Sequence, residues 1–163
     1  MGLTGNNIPV FSTSPQSNGG SATYTGSNLG TLGSANNGVV IYQASSAGTR
    51  GSRIYGLYLS NSAATVASVF LYINLYIPNT STTITPIGIV SVPANAGNSA
   101  SVPCVNAITS SNCPGLPQDG MGRPYLELAR YDNVTLNSTL QMSICSAGTN
   151  PTTIYASVVG ADY

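Results

Sequence analysis

The sequence predicts an all-β protein: an antiparallel β-sandwich, jelly-roll-like, of about eight strands with an extended N-terminal arm. Three observations predict it. Val66 to Ile77 reads VASVFLYINLYI and contains no charge, Gly or Pro. Its odd positions Val69, Leu71, Ile73, Leu75 and Ile77 are aliphatic, while Phe70, Tyr72, Asn74 and Tyr76 between them are aromatic or polar. That two-residue period assigns the two sets to opposite faces of one strand. Second, other short β-branched segments are separated by loops rich in Gly, Pro, Ser and Asn. Third, no segment combines a 3.6-residue period with helix caps.

Residues 1–37 form a block of Gly, Ser, Asn and Thr with scattered anchors such as Phe11 and Tyr24. No period persists there, so they read either as a disordered leader or as an arm that orders against a neighbouring subunit. The sandwich domain is assigned to residues 38–163. Gly38–Gln43 is its first strand and Arg53–Leu59 its second, after a Ser-Ser-Ala-Gly loop. The long strand at Val66–Ile77 follows a Ser-Asn-Ser-Ala-Ala turn and is expected to lie next to the second strand. Thr85–Val92 comes next. Ser99–Ile108 contains Pro103, which makes it an edge strand or an irregular one. Pro117-Gln118-Asp119-Gly120 has turn chemistry and leads into Tyr125–Arg130. Leu140–Cys145 alternates cleanly, and Thr153–Val159 is the last strand.

Charged residues make up 5% of the 163 residues, and the net charge is zero. The cations are Arg50, Arg53, Arg123 and Arg130, against Asp119, Glu127, Asp132 and Asp162. Such a chain has no field to steer it towards nucleic acid or an anionic membrane, so neither is expected as a partner. Its Ser, Thr, Asn, Gly and Tyr surface instead suits short-range packing inside an assembly. No basic region followed by an apolar one opens the chain, so no secretory signal is expected.

Without His, Ser–His and Cys–His dyads are excluded, and without Lys so is Schiff-base chemistry. The carboxylates are scattered. Glu127 and Asp132 are the pair that the fold would have to bring together for glycoside cleavage. No catalytic residue is assigned. Three cysteines without His do not form a zinc pattern, and no cofactor or metal is expected. Cys104 and Cys113 bracket the short loop VNAITSSN. They are either bridged by a disulfide or, as the odd count favours, reduced and half-buried.

The ten tyrosines are the most suggestive feature. They admit three readings: cross-strand pairs over the core, anchors of a protein interface, or sugar-stacking platforms. The interface candidates are Phe11, Tyr24, Arg53, Tyr55, Tyr58, Tyr72, Tyr76, Arg123 and Arg130. The two faces of Val66–Ile77 both need cover, and a small domain supplies one layer, which again points to an assembly.

Three features carry a resemblance. The chain starts at Met1 with a Gly/Ser/Asn arm. Its middle reads PIGIVSVPANAGNSASVPCVNAI and then LPQDGMGRPYLELA, and a final strand is followed by GADY. In these it resembles the small, uncharged β-sandwich virion proteins of tailed bacteriophages, particularly head decoration (cement) proteins. The resemblance implies a non-enzymatic subunit on the outer surface of the capsid that binds the major capsid protein. It also implies a homo-oligomer, a dimer or trimer, that ties neighbouring capsid subunits together. The alternative is a tail, connector or appendage subunit with an adhesive, carbohydrate-binding role. The cysteines match no pattern of that family.

Overall fold

The computed structural model describes residues 14–24, 39–43, 51–75, 83–129, 138–147 and 152–162, and contains no helix among them. Two antiparallel sheets enclose one apolar core. In the first sheet, β1 (Ser14–Tyr24) pairs with β9 (Thr152–Asp162), which pairs with β3 (Gly51–Asn61). The other edge of β3 is shared. β7 (Leu126–Ala129) covers Gly51–Ile54, and the two-residue β6 (Val105–Asn106) covers Tyr58 and Leu59. The second sheet runs β2 (Val39–Gln43), β8 (Ser138–Ala147), β4 (Ala67–Leu75), β5 (Thr83–Val92). Strands 1-9-3-6 facing strands 2-8-4-5 is the interleaved order of a jelly roll, two Greek keys wound together.

Alternation explains which face each strand buries. In β9, Ile154, Ala156 and Val158 are buried, while Tyr155, Ser157 and Val159 are exposed. In β8, Leu140, Met142 and Ile144 point inward. In β4, Val69 and Leu71 are fully buried, as the aliphatic odd positions require. Bulges adjust the register where the apolar pattern changes parity. In β2, the shift between Val40 and Tyr42 brings both Ile41 and Tyr42 into the core. In β3 the apolar positions pass from even, at Ile54, to odd, at Leu57 and Leu59. A regular strand would expose one of these sets. The extra residue, Tyr55, sits between Ile54, opposite Gly160, and Gly56, opposite Val159, and so all three aliphatics are buried. Gly160 is needed at this crossing, because a Cβ there would stand 2.6 Å from the Arg53 carbonyl oxygen.

Three expectations change. Ser14–Tyr24 does not stand apart from the sandwich: it pairs with β9 along its whole length. Its sequence, SPQSNGGSATY, has no apolar alternation, so the pairing is carried by backbone hydrogen bonds. The rest of residues 1–37 lies outside the described residues. Next, β3 and β4 are consecutive in the chain but belong to opposite sheets. Tyr55 and Tyr58 therefore cannot pair across strands with Tyr72. Finally, on the outer face of the second sheet Phe70, Gln141 and Ser143 are already buried in the isolated chain. Phe70 needs no second molecule to cover it.

Asn61 closes β3 and ties two connections together, the β3–β4 turn and the segment after β5. It is fully buried. Its Nδ2 donates to the carbonyl oxygens of Thr65 at 2.8 Å and Pro93 at 3.1 Å, and its Oδ1 accepts from Ala63 N at 2.9 Å. Its backbone N–H donates to Ala96 O at 2.8 Å. Asn61→Ala keeps the main-chain bond to Ala96 but leaves the part-buried Thr65 and Pro93 carbonyls and the Ala63 N–H without their side-chain partner. The expected loss is about 3 kcal/mol, read as a lower urea midpoint at an unchanged m-value.

Candidate functional site

The outer face of the five-stranded sheet gathers the exposed aromatics, in two patches at opposite ends of β3. The first is built where β3 meets β7. Arg53 and Glu127 are directly opposed in register, and Arg53 Nη2 lies 3.6 Å from Glu127 Oε1. Both side chains are partly exposed, so the pair adds little stability and mainly orients the guanidinium. That guanidinium carbon stands 4.8 Å from the centroid of the Tyr125 ring, a cation–π arrangement. The Tyr125 ring in turn lies 6.2 Å from that of Tyr55, tilted by 45°. Tyr125 is fixed from below by its N–H, which donates to Pro117 O at 3.0 Å. The result is an ordered Arg–Tyr–Tyr cluster with Tyr55 43% exposed.

The second patch lies where β3 meets β9. Tyr58 is opposite Ser157, and Ser60 is opposite Tyr155, so the two tyrosines sit on one diagonal and the two hydroxyls on the other. Tyr58 and Tyr155 are 41% and 50% exposed. The Tyr58 ring lies across Gly56, where a Cβ would come within 2.9 Å of the ring. Gly97 and Cys104, from the segment that joins β5 to β6, complete a shallow open groove of about 280 Å³.

Arg123 is placed elsewhere, in the turn before β7. Its Nε donates to Asp119 Oδ2 at 2.8 Å, and its Nη2 is 2.7 Å from the same oxygen. Asp119 Oδ1 accepts the backbone N–H groups of Met121 and Arg123, both at 2.9 Å. The Arg123 N–H, its guanidinium and the Met121 N–H together hold the Asp119 carboxyl below its ordinary value of 3.8. Because the folded value is the lower one, this contribution is complete above pH 3.8 and is lost as pH falls through the folded value. The Met121 and Arg123 amide proton shifts are expected to titrate together, with a midpoint below 3.8, in an NMR pH series.

Of the sequence-derived candidates, the structure brings Arg53, Tyr55 and Tyr58 onto one face. Tyr24 ends β1 opposite Thr152, on the far side of β9, and Tyr72 lies in the other sheet. Phe11, Tyr76 and Arg130, and Asp132 with them, fall outside the described residues. Sequence reasoning missed Tyr125, Tyr155 and the pairing role of Glu127. Tyr155 had a signal, since Ile154, Ala156 and Val158 leave it no inward position. Tyr125 had none, because its partners come from a strand more than sixty residues earlier.

Cys104 and Cys113 are free thiols, and the bridge between them is not formed. Cys104 is exposed in the groove, whereas Cys113 is buried and its Sγ donates to Ala107 O at 3.5 Å. One thiol faces out and the other into the core, and burial raises the Cys113 pKa. Iodoacetamide is expected to modify Cys104 in the native protein and Cys113 only after unfolding, as read by peptide mass mapping.

No protein-family model matches the chain, and neither a curated protein nor a solved structure matches it.

Proposed function

We propose that this protein is a non-enzymatic structural subunit of a virion, a decoration protein on the outer surface of the capsid that bridges neighbouring major capsid subunits. The observation that carries the proposal is the Arg53–Tyr55–Tyr125–Glu127 cluster. Tyr and Arg are the residues that most often anchor protein contacts. Here they are pre-ordered by one another on a rigid strand pair, which lowers the entropy lost on docking. The nearly charge-free surface lets many copies sit side by side without mutual repulsion. The jelly roll is used by capsid proteins, and equally by lectins and cupins, so the fold accommodates this role without selecting it. Stabilisation arises from repetition: each copy needs only a modest contact, multiplied over the shell.

Loading onto capsids assembled from the major capsid protein tests the proposal. Tyr55→Ala and Tyr125→Ala are expected to keep the melting temperature and to weaken loading roughly thirtyfold, corresponding to about 2 kcal/mol per anchor. Particles without the protein are expected to release their genome at lower temperature. Full loading of both variants, or equal heat resistance of bare and decorated particles, would overturn it.

A further inference from the structure

We infer that the groove between Tyr58 and Tyr155 is a binding site for a neutral sugar ring. The inference does not rest on the capsid reading, since the groove lies at the opposite end of β3 from the Arg53–Tyr125 cluster. Four features of the groove point to this ligand.

The first is the cross-strand quartet. Tyr58 faces Ser157 and Ser60 faces Tyr155 across β3 and β9. Diagonal partners of this kind are about 7–8 Å apart at the backbone, and the Tyr58 ring is turned towards Gly56 rather than towards Tyr155, so a saturated ring stacks on one tyrosine while its rim reaches the serines. A pyranose offers an apolar C–H face to an aromatic ring and hydroxyls around its rim. The quartet offers aromatic faces on one diagonal, and on the other two hydroxyls that both donate and accept.

The second is charge. Among the described residues, Tyr58, Ser60, Gly97, Cys104, Tyr155 and Ser157 line the groove, without any Arg, Asp or Glu. A phosphate or carboxylate would meet no counter-charge, whereas a neutral ligand loses nothing by that absence. The third is size. About 280 Å³ falls just under the usual range for small-ligand pockets. It holds a single ring rather than the longer strip that an extended peptide requires.

The fourth is Gly97. Its φ is +70°, and a Cβ on it would stand 2.8 Å from Ser60 Cβ and 3.2 Å from Cys104 Cβ. Any other residue would strain the backbone and crowd the Ser60 side of the groove. The glycine keeps that wall low. Its N–H donates to Val102 O at 2.8 Å, so the wall is held in place as well.

Cys104 supplies an internal reporter. It lines the groove and is exposed, so a bound sugar must slow its alkylation. The chain has no Trp, so its intrinsic emission comes from tyrosine and reports a ligand stacked in the groove. The experiment uses the full chain and hexamers of glucose, mannose and N-acetylglucosamine, with a hexamer of galacturonic acid and a proline-rich peptide as contrasts.

At least one neutral hexamer is expected to shift tyrosine emission saturably and to slow Cys104 alkylation. Tyr155→Ala is expected to weaken that binding about tenfold, and Tyr155→Phe, which keeps the ring, to retain most of it. Both variants are expected to melt like the parent, since residue 155 is half exposed. Tyr55→Ala, at the bulge in the middle of β3 and outside the groove lining, is expected to bind sugar normally, so failure here is separable from failure of the capsid reading. Three outcomes overturn the inference. No neutral sugar protects Cys104; or protection survives Tyr155→Ala; or Cys104 is shielded only by the peptide, by the galacturonic acid hexamer or by another copy of the chain.

Discussion

The change of parity in the middle of β3 is the constraint on which the rest of this structure depends. Ile54 and Leu57 are three residues apart, an odd separation, yet both belong in the core. A pleated strand cannot satisfy that without inserting a residue. Tyr55 is the insertion. Because it is taken up there, Arg53 and Tyr55 leave the sheet on one side of the bulge, and Tyr58 and Ser60 on the other. The break also divides the free edge of β3, so that β7 pairs before the bulge and β6 after it. Both exposed aromatic patches thus follow from one local adjustment of the main chain.

Each patch inherits precision from that arrangement. Side chains projecting from paired strands are held by the ladder beneath them and need little further support. At the β7 end, the few charges are used locally: Arg53 is oriented by Glu127, and Arg123 by Asp119. Among the described residues, the lining of the second patch carries none. A surface with so few ionisable groups offers shape, aromatic faces and hydroxyls for contact, and such contacts depend little on ionic strength. Exposed ion pairs of this sort add little to stability. The fold is carried instead by a continuous aliphatic core from both sheets and by buried polar tethers such as Asn61.

Much of this architecture was legible in the sequence because its strands announce their faces. Leu140–Ile144 and Ile154–Val158 alternate without interruption, and their burial follows directly. What alternation cannot convey is which strand lies beside which. The partition of β3 and β4 between two sheets is a matter of long-range pairing, to which a two-residue period is blind. β1 was illegible for a different reason. Its Ser, Gln, Asn and Gly residues contribute backbone rather than apolar side chains, and composition marks such a stretch as unstructured. The site was half visible. Arg53, Tyr55 and Tyr58 share one strand and could be grouped by inspection. Their partners Tyr125 and Tyr155 arrive from distant segments, and only the register unites them.

The pairing of β1 with β9 has a mechanical side. The strands are antiparallel with Ser14 opposite Asp162, so both of these positions lie at the same end of the pair. A pull applied between them opens the ladder rung by rung, each hydrogen-bonded pair bearing the load alone, in the manner of a zip. A force spread over the outer face of the sheet meets the opposite situation. It is shared across β1, β9, β3 and β7 and compresses them onto the core. The domain is therefore weak when tugged through these two strands and strong when pressed or held through its broad face. A domain built this way withstands stress best when the load is spread over that surface.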